Sequence, residues 1–444
     1  MPRRVQLRAG VIAAVSAALL ALAACSPGQS ADTADSGEGA EPGSQSIDWE
    51  SFGGQTLDYV YFTDGPDEAA TRDLIAQFEE ETGATVNLQI VPFAELEQTL
   101  QARINSGSPP GVARVTAWYP YADSLVDVRT YLGQDYPNEF IEGQAAAGTD
   151  PEGAFRAVPN DVTMNGPFIN VDAFEAAGVP LPPTDEPWTW EQMVQDATAV
   201  QKANGMESAI AIDKSGHRIS TVFSAYGTTL LDEDGQEALD SEAASAALTE
   251  LNDLAQSGAL LRDFWLESGS RYAGANEQFL AQQVPVYLSG NWQVGQFAQN
   301  ATFRWAAVPN ACAERCGGFP GGKFLVAFSE SENSELGVAF VDWMNRADQQ
   351  TAMAAGAYWI PTRKDLADAE INYPERAEDM AVFRAEVGTT PEDTFAANAA
   401  PAFSASATVV VEQVSTLFAG QQDVAATVEA IKTEVADIVQ QVGS

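Results

Sequence analysis

Histidine occurs once in 444 residues, as His217, and cysteine three times, as Cys25, Cys312 and Cys316. A single imidazole severely limits a Ser-His-Asp triad or a histidine-based zinc site. No Gly-x-Ser-x-Gly, His-Glu-x-x-His or P-loop motif is present. No metal and no cofactor is therefore expected. Basic residues are also scarce: five lysines and 17 arginines face 63 acids, for a formal net charge of −41. Such a chain repels nucleic-acid phosphates and disfavours strongly anionic ligands unless a local basic pocket overrides the field. We read the charge as a solubility trait at high ionic strength. Long apolar runs are missing beyond residues 9–24, and that stretch is too short for a comfortable membrane span. Hydrophobic residues still make up 45% of the chain, enough for a proper core.

What is present begins at the N-terminus. Residues 1–8 carry three arginines, 9–24 are apolar apart from Gly10 and Ser16, and the run closes as Leu22-Ala-Ala-Cys25. Charge order and small residues match a secretory signal. The cysteine directly after them resembles a bacterial lipobox, which implies that Cys25 is freed and acylated. Residues 1–24 are thus read as a lipoprotein signal peptide and 25–49 as the lipidated cysteine and a flexible linker. Residues 26–46 contain only Ser, Pro, Gly, Gln, Ala, Asp, Thr and Glu, too little apolar surface to offset ordering entropy. A flexible chain of this length spans about 25 Å. Lipid contributes about 0.8 kcal/mol per buried methylene, so the protein is expected outside the cytoplasm, anchored to the cell membrane through Cys25. Loss of 1–24 removes three arginines and no acids, which takes the charge to −44. With Cys25 lipidated, Cys312 and Cys316 remain as an even pair in an oxidising compartment, and a disulfide is expected.

The folded part, about 395 residues, is long enough for two domains or two lobes. Residues 56–62 read as an aromatic-rich strand, broken by Thr63-Asp-Gly-Pro66. A helix follows with Ala70, Leu74 and Phe78 on one face, stopped at Gly83. Residues 85–91 alternate, a second helix places Leu96, Leu100 and Ile104 on one stripe, and 112–115 form a third strand. Strand and helix in turn predict a parallel α/β sheet. Further on, 157–170 are extended, 209–212, 284–288 and 323–328 read as strands, and 317–322 as a glycine-rich loop. Helices are expected over 190–203, 243–255 and 335–345 and at the C-terminus.

Several of these stretches resemble one family. The run 72–110, Ala157-Val-Pro159 with Phe168-Ile-Asn170, Phe174–Val179 and Tyr226–Gly235 are similar to extracellular solute-binding proteins of ABC importers. Leu288-Ser-Gly-Asn-Trp292, the helix 337–345 and Tyr358-Trp-Ile-Pro-Thr-Arg363 complete the set. The subgroup is the sugar-binding, maltose-binding-protein type, and the likeness covers about residues 55–442. Gly111 departs from the pattern, since the family usually carries Asp after the Pro-Pro of the first lobe. The resemblance implies an α/β, two-lobed periplasmic-binding-protein-like fold with hinge crossovers near 161–163, 303–306 and 360–362. Lobe 1 would be 50–161 plus 306–360 and lobe 2 would be 163–303 plus 361–444. It also implies a monomer that captures a mono- or oligosaccharide in an interlobe cleft and delivers it to permease subunits in the membrane. The competing readings are a lipid-anchored glycoside hydrolase, which needs only two carboxylates, and a sugar sensor on the same fold.

A sugar site needs aromatic platforms beside carboxylate, amide and cationic groups. Trp292 ends a strand where the family places a stacking aromatic. Trp118 and Tyr119 follow the third strand on the edge where open α/β sheets bind ligands. Tyr358 and Trp359 flank a crossover. Thr63 and Asp64 open the first helix, where Asp64 has two compatible roles, N-cap and ligand contact. Asp161, Thr163 and Asn165 recur at period two in the first crossover, as a cleft wall or as a hinge hydrogen-bond network. His217 and Arg218 lie near the family's second-lobe contact loop, and Gly321, Gly322 and Lys323 offer either backbone amides to hydroxyls or a turn.

Overall fold

The computed structural model describes residues 45–269 and 272–442; the signal-peptide and Cys25 readings fall outside the described residues. Eight strands form one mixed sheet: β1 (Thr56–Tyr61), β2 (Thr85–Ile90), β3 (Val112–Val115), β4 (Val158–Asn170), β5 (Ile210–Ile212), β6 (Val286–Gly290), β7 (Trp305–Ala307) and β8 (Pro320–Ala327). Their order is β2-β1-β3-β8-β4-β6-β5, with β7 also paired to β4. β1 runs parallel to β2 and β3, and β5 runs parallel to β6. The long strand β4 divides the sheet. Its first part pairs with β8 from Val158 to Met164, and its second part pairs with β6 from Asn165 to Ile169.

Alternation along the strands fills a core on each face of each half. Leu57, Tyr59 and Tyr61 enter one core with Phe78 and Trp343, while Val60 and Phe62 enter another with Leu96 and Leu100. In the other half Ile210, Ile212 and Val286 face one core, and Ala211 and Tyr287 the opposite one. Phe78 is fully buried, so its truncation to alanine carries a cost of about 3–5 kcal/mol. Helix starts follow sequence chemistry. Asn170, Thr189 and Asp240 accept from backbone amides at the starts of helices Val171–Ala177, Trp190–Asn204 and Ser241–Ser257. The helix Asp67–Thr82 ends at Gly83 with φ of 70°, the left-handed conformation that glycine adopts without penalty. Among the described residues no single helix is long and apolar enough to cross a membrane.

Three segments join the halves. The first is β4 itself. The second runs from Ala307, still paired with β4 in the β6 half, to Pro320, paired with Met164 in the other. This passage lies downstream of the expected 303–306, and Val308, Ala311 and Phe319 pack in the core of the β6 half. The third is at Ile360, bridged to Val162. Cys312 and Cys316 are disulfide-bonded within the second segment, and Cys312 exchanges backbone hydrogen bonds with Trp188 and Trp190. The C-terminal part is not confined to one half, because the helix Glu392–Ala399 packs on Glu142–Ala147 of the β1 half.

Two glycines explain departures from the expected pattern. An added Cβ at Gly111 would lie 2.2 Å from Leu57 Cδ1, so the site of the family's usual Asp has no room for a side chain here. Gly321 and Gly322 belong to β8 and not to a loop. A Cβ at Gly321 would fall 2.5 Å from Thr163 Oγ1, so a side chain there would displace the Thr163 hydroxyl.

Candidate functional site

The carboxyl ends of β1, β3, β5 and β6 converge on a cavity of about 460 Å³. This is the edge at which open α/β sheets receive ligands. The β1 half contributes Phe62, Thr63, Asp64 and Gly65 after β1, Phe93 at the start of the helix Phe93–Asn105, and Thr116 after β3. β4 contributes Thr163 and Asn165, and β8 contributes Gly321, Gly322 and Lys323. From the β6 half come Ser215, His217 and Arg218 after β5, Tyr272, and Trp292, Gln293 and Gln296 after β6. The walls touch at Phe93 and Tyr272, whose ring centres lie 5.1 Å apart edge to face.

An ion cluster forms the floor. Arg114 on β3 has no exposed surface and lies against the rings of Phe62, Trp359 and Tyr61 at 4.5, 4.5 and 4.9 Å. It donates to Phe62 O at 2.7 Å, Asp64 Oδ2 at 3.0 Å and Asp67 Oδ2 at 3.1 Å. Lys323 Nζ bonds Asp64 and reaches Asp161 Oδ2 at 3.2 Å. Asp64 therefore does not cap the first helix. The N-cap position is Pro66, which makes no side-chain cap bond; Asp67 instead ties the preceding loop to the helix, its Oδ1 accepting from Asp64 N and from Thr63 Oγ1. Burial pushes the Asp64 carboxyl up, but Lys323 and Arg114 outweigh it and hold the group below its ordinary value. Asp161 is the reverse: burial dominates over Lys323 and Arg114, and its carboxyl is pushed up to about 6.

The opposite wall is built on Asp213, which accepts from Tyr287 OH, from Ser289 Oγ at 2.7 Å and from Ala275 N at 2.9 Å. Arg218 lies 3.6 Å from it and stacks on Trp292 with 4.4 Å between guanidinium and ring centre. Asn165 donates to Thr221 Oγ1 at 2.8 Å, and its carbonyl accepts from Asn310 Nδ2 at 2.8 Å. His217 packs edge to face on Phe403, with ring centres 4.9 Å apart. Burial, then the Arg218 charge, lowers its imidazole to about 3, so it is neutral at physiological pH.

Of the residues singled out by sequence, Thr63, Asp64, Thr163, Asn165, His217, Arg218, Trp292, Gly321, Gly322 and Lys323 line this one cavity. Asp161 lies behind Lys323 and Arg114 without lining it. Four aromatics lie elsewhere. Trp118 is 2% exposed, donates to Ala147 O at 2.8 Å and stacks on Tyr119. Tyr119 follows that indole, its hydroxyl 3.5 Å from Thr149 O. Trp359 is buried under Arg114, and Tyr358 stacks on Tyr373. Aromatic character near a strand end does not say which face the ring takes: Trp118, Tyr358 and Trp359 are buried, and Tyr119 packs half-buried on Trp118. Sequence reasoning missed Phe62, Phe93, Tyr272, Gln293 and Gln296. Gln293 and Gln296 follow Trp292 within one helical turn, a readable sign; Tyr272 carried none.

These features define an α/β binding protein with its ligand cavity at the join of two sheet halves. The chain belongs to the bacterial extracellular solute-binding protein family, whose model matches residues 73–381. Among curated protein sequences no significant match is found. The fold is similar to an ABC substrate-binding protein from Listeria monocytogenes solved with cycloalternan. That pair has a TM-score of 0.75 and 16% identity over 86% of this chain and 98% of the other. It is also similar to the GacH receptor of Streptomyces glaucescens, solved free and with acarbose (TM-score 0.74, 19% identity, 87% and 99% covered). A maltotriose-binding protein of Thermus thermophilus, bound to maltotriose, matches with a TM-score of 0.68 at 19% identity, covering 86% and 99%. All three are two-lobed, and the present fold is of that class.

Proposed function

We propose that this protein is the substrate-binding component of an ABC importer, and that it captures a neutral sugar in the cavity and delivers it to membrane permease subunits. The observation that carries the reading is the cavity lining. Four aromatic rings (Phe62, Phe93, Tyr272, Trp292) stand among paired donors and acceptors, at the join of two sheet halves. Rings suit the C–H faces of a sugar, and the polar groups suit its hydroxyls. The sugar ligands of three structural neighbours support the same class. The two sheet halves act as lobes. A ligand bridging Asp64 and Lys323 on one to Arg218 and Trp292 on the other stabilises the closed arrangement through its differential affinity. The role is capture without chemistry.

The protein works as a monomer outside the cytoplasm, tethered through acylated Cys25 and the linker after it. Titration calorimetry with a panel of neutral oligosaccharides, with amino acids and polyamines as controls, tests the reading. We expect saturable one-to-one binding of a sugar and no hydrolysis product on chromatography. Turnover would favour a glycosidase, and binding of only the control solutes would remove the sugar assignment.

A further inference from the structure

The sugar reading treats Trp292 as a platform, but one face of its ring is already taken. The Arg218 guanidinium lies 4.4 Å from the ring centre. At its other end the indole is fixed by backbone, since a Cβ on Gly290 would fall 2.1 Å from Trp292 Cζ3. Arg218 itself is 7% exposed, and neither its Nε nor its Nη1 has a hydrogen-bond partner among the described residues. Its counter-ion does not supply one. Asp213 Oδ2 is 3.6 Å away, and both carboxylate oxygens are engaged by Tyr287, Ser289 and Ala275. A buried guanidinium with open donors is costly unless an acceptor arrives. Arginine stacks on aromatic faces while leaving its in-plane N–H groups free to donate. The charge of Asp213 balances the cation, so the missing partner is a neutral acceptor such as a hydroxyl or ring oxygen.

We propose that Arg218 is the specificity-determining residue of this wall, donating hydrogen bonds to ligand oxygens, and that Trp292 is a positioning residue acting through it. The inference rests on the sugar-capture reading and narrows it. The ligand presents an oxygen-rich edge, not an apolar ring face, to Trp292.

A double-mutant cycle decides the point. Wild type, Arg218→Ala, Trp292→Ala and the double variant are titrated with the neutral-oligosaccharide panel, maltotriose included. Unliganded unfolding midpoints check that each is folded. Each single variant should weaken binding by about tenfold or more. The double variant should be no more than about threefold weaker than the weaker single, because the two residues act as one unit. Trp292→Phe, which keeps a ring face under the guanidinium, should stay within about threefold of wild type, and Arg218→Lys, which lacks the planar fork, should not. Losses that multiply in the double variant would overturn the inference and restore direct stacking on Trp292. Unchanged affinity in Arg218→Ala would also overturn it. Failure of wild type to bind any sugar would overturn the sugar reading itself, and this inference with it. If an alanine variant does not fold, the Phe and Lys variants carry the same decision.

Discussion

Replacing Asp161 by asparagine isolates one surplus charge at the join of the sheet halves. Arg114, Lys323, Asp64, Asp67 and Asp161 form a cluster of two cations and three carboxylates. Asp161 is its least compensated member: it is fully buried, and its Oδ2 meets Lys323 and Arg114 only as ion pairs at 3.2 and 3.9 Å. Burial, opposed by Lys323 and Arg114, moves its carboxyl from 3.8 to about 6. A folded value above the unfolded one means that the native protein keeps the proton across this window. The associated stabilisation is complete below the unfolded value of 3.8 and is lost as pH rises through about 6. At about 1.36 kcal/mol per pH unit the loss amounts to roughly 3 kcal/mol. Asp161→Asn removes this titration and leaves two cations facing two carboxylates. Urea unfolding of both proteins at low and high pH reads the effect. The difference in stability should shift in the variant's favour by roughly 3 kcal/mol between about pH 4 and pH 8. Parallel stability–pH profiles would refute the assignment of Asp161 as the surplus charge.

Two further outcomes follow from the same geometry. Gly290→Ala leaves backbone conformation unstrained, since φ is −178°, but drives a methyl into Trp292. We expect a destabilisation of about 1–3 kcal/mol by denaturant unfolding together with weaker sugar binding, and wild-type values in both would contradict the packing described. His217, the only histidine, gives a single imidazole signal by NMR. With its value lowered from 6.5 to about 3, that signal should not titrate near neutrality, and the protein should lose stability as pH falls below 6.5. A titration midpoint near the ordinary histidine value would contradict its packing against Phe403 and the Arg218 charge.

Much of the architecture is legible in the order of residues. Leu57, Tyr59 and Tyr61 against Val60 and Phe62 write a strand buried on both faces, and the apolar spacing of Ala70, Leu74 and Phe78 writes the helix beside it. The crossovers are less visible. Pro320, Gly321 and Gly322 read as a loop because glycine usually marks one, yet here they are strand residues, and Gly321 leaves room for the Thr163 hydroxyl. The site divides along similar lines. Period-two polar residues in an apolar strand marked Thr163 and Asn165, and a strand end marked Trp292. Aromatics alone misled, since Trp118 and Trp359 serve a carbonyl and a buried guanidinium. The Arg114 cluster escaped notice because a lone arginine inside a four-residue strand has no local signature; its partners come from β1, β4 and β8 and the first helix. The disulfide was readable from cysteine number and compartment.

The most direct test of the account is a crystal structure of the protein with the sugar that it binds most tightly. The account predicts one sugar held between Asp64 and Lys323 on one wall and Arg218 and Trp292 on the other, with Arg218 donating to its oxygens. A sugar seated outside this cavity, or one touching only one of the two walls, would contradict it.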